Sequence, residues 1–199
     1  MENYEYSELA PVILEKQELT NFIGIVSEDS RKYLDREEIN NCLQTINDPQ
    51  HRMICTFMWM TGLRVSEVID LKFNNIDFTK SIMRVTWLKK RKRLERIVPL
   101  HKNLVALLRL YTSNMKYGDT VFPISRQMVH KIVKRYFPKW FSSHSFRHSF
   151  SVNYLRQADN PNDLVILQKL LGHNNIQTTM EYLKVLPVDQ KKQLDKIVF

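Results

Sequence analysis

Residues 144–149, with the sequence His-Ser-Phe-Arg-His-Ser, contain three groups suited to anion binding and proton transfer. His144, Arg147 and His148 stand at positions i, i+3 and i+4, so in a helix they share one face, with Ser143 available as a cap nearby. An imidazole changes charge near neutral pH, whereas a guanidinium stays charged and offers paired donors to phosphate oxygens. One interpretation is therefore a basic helix that faces DNA.

A metal site is the competing interpretation of these residues. His144, His148 and the distant His173 would together supply three imidazoles. The fixed charge of Arg147 disfavours a dication beside it, and Ser145 stands where the H-E-x-x-H motif has glutamate. We therefore expect no metal and no cofactor.

Two of the four glycines stand beside further candidate residues. Arg64 follows Gly62 in TGLRVSE, just after an expected helix stop, where a long side chain can point into a cleft. The simpler alternative for Arg64 is a surface pair with Glu67 on the next turn. His173 follows the second glycine in the sequence LGH.

Tyr182 stands nine residues after His173. Most tyrosines on short amphipathic helices are half-buried and do no chemistry. A phenol is nevertheless able to form a covalent phosphodiester, and arginines with imidazoles are the groups that a phosphoryl transition state without a metal requires.

These motifs together resemble the catalytic domain of the tyrosine recombinase, or phage integrase, family. The set comprises Arg64 in GLRVSE, His144-x-x-Arg147-His148, Leu171-Gly172-His173 and Tyr182. Order and spacing both agree, over about residues 31–185. No single motif is specific, but four in the right order are a strong signal.

The resemblance implies a site-specific DNA recombinase of the integrase, resolvase or invertase type, which works without metal or ATP. Its implied nucleophile is Tyr182, which would form a 3′-phosphotyrosyl bond and release a 5′ hydroxyl. The remaining implied roles are a phosphate clamp by Arg64 and Arg147, hydrogen bonding and proton movement by His144 and His173, and support from Glu67 and His148.

The resemblance also implies a lysine on a β-hairpin that protonates the departing 5′ oxygen. Counting back from Pro99 gives Arg91, and counting forward from Val85 gives Lys89. We favour Lys90, between them, and then Lys89, with Lys92 as a further alternative. The simpler interpretation is that the basic residues of the hairpin only contact DNA phosphates. These residues are Lys89, Arg91, Lys92, Arg93 and Arg96.

The expected partners follow from the same resemblance. They are double-stranded DNA, further copies of the chain in a tetramer on DNA, and accessory DNA-bending proteins. The segment 188–199 would form a C-terminal helix that docks on a neighbouring subunit, or folds back on its own domain. The alternative function is a non-catalytic DNA-binding protein on the same scaffold.

The elements that position these residues are mostly helical. Asp35 and Glu38 form a capping box, so a helix should start there and run to about Ile46, stopping near Pro49. The next helix should stop at Gly62, and a short third one should follow Arg64.

Residues 82–88 and 96–100 predict a β-hairpin with a basic tip. Helical spacing returns after it, and Gly172 is the expected C′ residue of one helix. The segments with this spacing are 104–111, 129–136, 145–157, 163–171, 177–185 and 188–197. The predicted fold class is mainly α with a small antiparallel β-sheet, like a tyrosine recombinase catalytic domain.

Charge divides the 199 residues into two parts. Residues 1–38 have a net charge of −6 and residues 39–199 one of +15, which favours a polyanionic partner. We expect residues 1–33 to form an acidic N-terminal arm, or to be the remnant of an N-terminal domain. Residues 34–199 should form the catalytic domain. The longest apolar stretch, 53–60, is too short to cross a bilayer, and two cysteines without C-x-x-C spacing predict a reducing, cytoplasmic setting. The resemblance implies that the chain is associated with DNA there.

Overall fold

Helices make up most of the residues that the computed structural model describes, which are 32–89, 92–158, 160 and 162–185. The helices are α1 (Arg36–Gln44), α2 (Pro49–Thr61), α3 (Val65–Ile69), α4 (Lys102–Tyr111), α5 (Arg126–Tyr136), α6 (Ser143–Arg156), α7 (Asp163–Leu171) and α8 (Ile176–Met180). Short 3₁₀ turns span Phe73–Asn75 and Leu183–Val185. Within the described residues, no helix has both the length and the apolar character needed to cross a membrane.

One antiparallel sheet accompanies the helices, in the order β1 (Ile76–Asp77), β2 (Ile82–Lys89) and β3 (Lys92–Pro99). The expected hairpin is confirmed, with Ile82 opposite Pro99 at its base and Lys89 opposite Lys92 near its tip. The pairing of β1 with β2 was not predicted, because two residues are too few to show an alternating pattern. The expected fold class is confirmed.

The start of α1 agrees with the sequence prediction. The Asp35 carboxylate accepts from the Glu38 main-chain N–H at 3.0 Å, and the Glu38 carboxylate accepts from the Asp35 N–H at 2.8 Å. The helix ends at Gln44, two residues before the predicted end. Pro49 does more than stop it: it is the first residue of α2, where its missing N–H costs no hydrogen bond.

Helix α2 crosses the main hydrophobic core and packs against α6. Its buried side chains are Met53, Ile54, Cys55, Phe57, Met58 and Thr61. At its end Gly62 has φ = 63°, in the left-handed region that favours glycine, so the predicted stop is confirmed. The end of α2 therefore faces α6.

Helix α6 presents polar side chains to the interior. Ser149 Oγ accepts from the Leu34 N–H at 2.9 Å, and the Asn153 amide donates to the Leu34 carbonyl at 3.0 Å. These two bonds hold the chain where the predicted catalytic domain begins. The inner positions of α6 thus do more than pack, since they satisfy buried main-chain groups.

The helix expected over 177–185 is interrupted. It consists of α8 and the 3₁₀ turn Leu183–Val185, with Tyr182 at the break. Tyr182 is buried in a second, smaller apolar cluster with Val152, Leu155, Leu167 and Leu171. The expectations for 188–199, for the hairpin tip at 90 and 91, and for residues 1–31 lie outside the described residues.

We expect the substitution Gly62→Ala to lower the free energy of unfolding by roughly 2–4 kcal/mol, through left-handed strain plus overpacking. A Cβ atom at Gly62 would lie 2.4 Å from Cδ1 of Phe150. Urea denaturation measures the change. Gly118→Ala is the matched control, since Gly118 also has positive φ but a Cβ there meets nothing within 4 Å. Equal losses in the two variants would contradict the steric part of this explanation.

Candidate active site

The candidate residues come from four places in the fold. Arg64 is the N-cap of α3, and the histidine and arginine motif lies on α6. His173 follows the left-handed Gly172 that ends α7, which confirms the predicted C′ glycine. Tyr182 follows α8.

Arg147 is the largest side chain among the fully buried ones, with 1% of its surface exposed. Nη1 donates to the Gly62 carbonyl at 3.1 Å, and Nη2 donates to the Leu171 carbonyl at 2.6 Å. Both carbonyls lie at helix C-termini, where partial negative charge stabilises a cation. Arg147 therefore ties α6 to the ends of α2 and α7.

Burial lowers the pKa of Arg147 to about 10, and the positive charge of Arg64 acts in the same direction. The charges of Tyr182 and Glu67 oppose that shift. Arg147 remains a cation at neutral pH. It interacts electrostatically with both the second arginine and the candidate nucleophile, as a common site requires.

Arg64 both pairs with Glu67 and lines a cleft, which are the two alternatives that the sequence left open. Its Nη1 lies 3.2 Å from Oε1 of Glu67, which is the pair expected on a surface. Its side chain is 40% exposed and lines a cavity of about 180 Å³ together with His144, Arg147 and Arg126. Arg64 also lines a larger groove of about 930 Å³. The two guanidinium groups thus share a cleft.

Glu67 is a buried carboxylate at the back of this cleft. It accepts from the Arg64 main-chain N–H at 2.9 Å and from both terminal nitrogens of Arg96, at 2.9 and 3.0 Å. Burial would raise the pKa of Glu67, but the hydrogen bond and charge of Arg96, with those of Arg64, lower it below its usual value. Glu67 is therefore ionised at neutral pH.

Arg96 lies elsewhere than the sequence analysis expected. Its side chain is only 9% exposed, and Nε donates to the Leu170 carbonyl at 3.0 Å while the terminal nitrogens bind Glu67. Its guanidinium also lies 5.0 Å from the centre of the Trp87 ring. The structure gives Arg96 internal contacts, and its contact with DNA stays a prediction. The signal was the strand alternation, which places Arg96 on the same face as the buried Val98.

The aromatic rings of three histidines and Tyr182 form a contiguous group. The centre of the His144 ring is 4.6 Å from that of His148, and His148 is 5.5 Å from Tyr182, both edge to face. The His173 ring lies nearly parallel to Tyr182 at 6.3 Å. Tyr182, which is 6% exposed, is thus bounded by His148 and His173.

The imidazoles in this group are neutral at neutral pH. Burial, followed by the charges of Arg147 and Arg64, lowers the pKa of His144, and the same effects lower that of His173 to about 4. Burial and the charge of His144 lower the pKa of His148 to about 4. Burial and the neighbouring positive charges thus both disfavour protonation of these imidazoles.

Thr179 holds the His173 ring and was missed by the sequence analysis. Its buried Oγ1 lies 2.9 Å from Nδ1 of His173, and the Gln168 amide donates to the His173 carbonyl at 3.1 Å. These contacts orient the His173 ring beside Tyr182. Thr179 precedes Tyr182 by three residues, but a lone threonine gives no distinctive sequence signal.

The remaining predictions concern the hairpin and metal binding. The side chains of Lys89, Lys92 and Arg93 lie outside the described part of the structure, as do Lys90 and Arg91 entirely. The choice of the acid lysine therefore stays a prediction. Among the described residues, no group of three or more His, Cys, Asp or Glu side chains is placed to hold a metal ion.

Sequence comparisons place the chain among known proteins. Residues 32–187 match the model of the phage integrase family. The chain is 28% identical to tyrosine recombinase XerA of Pyrococcus horikoshii, with 83% of this chain and 61% of the relative covered. It is 30% identical to tyrosine recombinase XerD of Staphylococcus saprophyticus, with 84% and 62% covered. The chain thus spans about three fifths of the length of these curated relatives.

Solved structures share the fold. The crystal structure of XerA recombinase matches 84% of this chain and 64% of its own, with TM-score 0.67 and 21% identity. The catalytic domain of bacteriophage HP1 integrase matches 82% and 94%, with TM-score 0.62 and 22% identity. The Tn1549 transposon integrase, in complex with a circular intermediate DNA, matches 83% and 65%, with TM-score 0.67 and 19% identity. From the family match and the arrangement of its arginines, histidines and tyrosine, the chain belongs to the phage integrase family.

Proposed function

We propose that this chain acts in site-specific DNA recombination, cleaving and rejoining DNA strands through a covalent 3′-phosphotyrosyl intermediate on Tyr182. The observation that carries the proposal is the buried guanidinium of Arg147, held by two main-chain carbonyls in a cationic cleft shared with Arg64. The phenol of Tyr182 lies between two imidazoles beside that cleft.

The proposed reaction exchanges one phosphate ester for another. The phenol oxygen of Tyr182 forms a bond to phosphorus while the bond from phosphorus to the 5′ oxygen breaks. An imidazole accepts the phenol proton, and the hairpin lysine supplies a proton to the 5′ oxygen. Ester energy is retained, so attack by a 5′ hydroxyl of another strand rejoins the DNA.

The charges of the cleft suit this chemistry. Arg147 and Arg64 offer donors to the non-bridging oxygens of the phosphate, where charge accumulates in the transition state. Burial lowers the pKa values of His144 and His173, and the charges of Arg147 and Arg64 lower them further; a bound phosphate would offset the part that comes from these charges. Substrate binding thereby raises the proton affinity of the imidazoles that are to accept the phenol proton.

Double-stranded DNA is the proposed substrate. The net charge of +15 over residues 39–199 favours a polyanion, and the Tn1549 integrase, which has the same fold, is in complex with DNA. The same proposal includes an assembly of four subunits on DNA, in which residues 188–199 dock on a neighbouring subunit, and accessory DNA-bending proteins. It also includes the division of the chain into an arm at 1–33 and a catalytic domain at 34–199.

Tyr182→Phe should abolish covalent attachment to DNA while DNA binding is kept, because only the nucleophilic oxygen is removed. The substrate is a nicked suicide duplex built from inverted repeats in the DNA that flanks the gene, and denaturing gels measure the covalent product. Tyr117→Phe, which changes a phenol that is 87% exposed, is the control and should react like the unmodified chain. Equal attachment by Tyr182→Phe contradicts the assignment, and tight binding without any attachment by the unmodified chain indicates the non-catalytic DNA-binding alternative.

Stability should decline as the pH falls from about 6.5 towards 4. His148 and His173 have a folded pKa of about 4, below the unfolded value of about 6.5, so the unfolded state binds more protons in this window. Their contribution is complete above pH 6.5 and is lost as the pH falls through 4. Urea denaturation at pH 7.5 and pH 4.5 measures the decline.

The His148→Gln variant isolates the contribution of one imidazole to that decline. It should lose less stability between pH 7.5 and pH 4.5 than the unmodified chain, because one buried ring that resists protonation is gone. His130→Gln, on an exposed position of α5, is the control for removing an imidazole elsewhere. An identical decline in the His148 variant and the unmodified chain would show that the ring does not resist protonation.

A further inference from the structure

Three charged side chains connect the sheet with the cleft. Arg96 on β3 binds Glu67 on α3 through two hydrogen bonds, and Glu67 in turn lies 3.2 Å from Nη1 of Arg64. The side chains of Arg96 and Glu67 are 9% and 1% exposed, whereas that of Arg64, which lines the cleft, is 40% exposed. Only the last of the three therefore has substantial access to solvent.

The Glu67 carboxylate has no acceptor capacity to spare. Oε1 receives Nη1 of Arg64 and Nη1 of Arg96, and Oε2 receives the Arg64 main-chain N–H and Nη2 of Arg96. Four donors are about what a carboxylate accommodates. Both oxygens are thus fixed, and so is the edge of the Arg64 guanidinium that contacts them.

Charge balance separates the roles of the two arginines. Two guanidinium groups and one carboxylate leave one net positive charge. Arg64 and Glu67 line the groove of about 930 Å³, and Arg64 also lines the smaller cavity. Among the described residues that line these two spaces, Arg96 does not occur. Because Arg96 balances the enclosed carboxylate, the excess charge lies at Arg64, where an anion can reach it.

We propose that Arg96 is a positioning residue that neutralises Glu67, so that the Arg64 cation remains available to an oxyanion in the cleft. This inference rests on the proposed function, since it takes the ligand of the cleft to be a phosphate. Arg96 does not touch the anion. It acts through the carboxylate, which without it would pair with Arg64 alone and cancel its charge.

A purely structural role is the rival explanation. Arg96 packs on Trp87 and bonds the Leu170 carbonyl, and a Cβ at Gly172 would lie 3.0 Å from its Nη1, so it also joins the hairpin to the end of α7. The two explanations differ in the effect of also removing the carboxylate. Neutralising Glu67 restores the net charge at Arg64, but it cannot restore the packing of a missing arginine.

The test is the affinity for tungstate, a tetrahedral oxyanion, measured by isothermal titration calorimetry on the full chain. We expect Arg96→Gln to weaken binding by roughly tenfold, and Arg96→Gln with Glu67→Gln to recover to within about threefold of the unmodified chain. Arg64→Gln should remove the site. Arg84→Gln, which deletes a β2 arginine that is 63% exposed, is the control for losing one positive charge and should change little.

Each failure has a distinct meaning. Equal affinity in Arg96→Gln and the unmodified chain, or a double variant as weak as Arg96→Gln, overturns the inference and leaves the proposed function standing. If the unmodified chain binds no tungstate, or binds it independently of Arg64, the phosphate site itself is wrong and the proposed function fails with it.

A conservative variant covers the case in which Arg96→Gln does not fold, which circular dichroism would reveal. Arg96→Lys keeps the positive charge but loses the two-pronged geometry and the Leu170 contact. The charge explanation predicts tungstate affinity within about threefold of the unmodified chain. A tenfold loss in a folded Arg96→Lys variant would overturn the inference in favour of the structural role.

Discussion

Arg147, a cation buried almost completely among protein groups, is the constraint on which the rest of the structure depends. Moving such a charge out of water is costly unless polar partners replace the water. The partners here are two main-chain carbonyls, those of Gly62 and Leu171, which are available because each lies at the end of a helix. Gly62 and Gly172, whose left-handed conformation ends α2 and α7, therefore help to place the two carbonyls that bind Arg147. Changing where either helix ends would remove an acceptor from Arg147.

The surroundings of this cation explain why the site is suited to a phosphate. Burial lowers the pKa values of His144 and His173, and the positive charges of Arg147 and Arg64 lower them further, so the site resists added positive charge. Glu67 is the buried carboxylate at the back of the cleft, and its two oxygens are already occupied by donors. The fold thus holds excess positive charge in the cleft before an anion binds. Proteins stabilise a transition state that gains negative charge by such preorganised positive groups.

Local signals in the sequence were sufficient for much of this arrangement. The capping box at Asp35 and the helix stops at Gly62 and Gly172 were predictable, because each depends on the backbone chemistry of a few neighbouring residues. The internal position of Arg96 was not predicted, because its partners Leu170 and Glu67 lie far away in the chain. The contact between Thr179 and His173 is local but was not predicted, because a lone threonine gives no distinctive signal. A basic hairpin suggests DNA contact for each of its members, whereas the alternation along β3 places Arg96 on the face of the buried Val98.

The division of the apolar interior bears on how the candidate nucleophile Tyr182 is held. Arg147 is anchored to elements of the large core, whereas Tyr182 belongs to a second cluster, which contains four other buried apolar residues among those that the structure describes. Its segment consists of the five-residue helix α8 and a 3₁₀ turn, so it has few internal hydrogen bonds of its own. Among the described residues, this segment buries fewer side chains than α6 does, and burial of fewer side chains favours a lower cost of displacement. Within the described residues, the buried Arg147 and the candidate nucleophile Tyr182 thus belong to separate apolar clusters, and a change at one can leave the packing of the other intact.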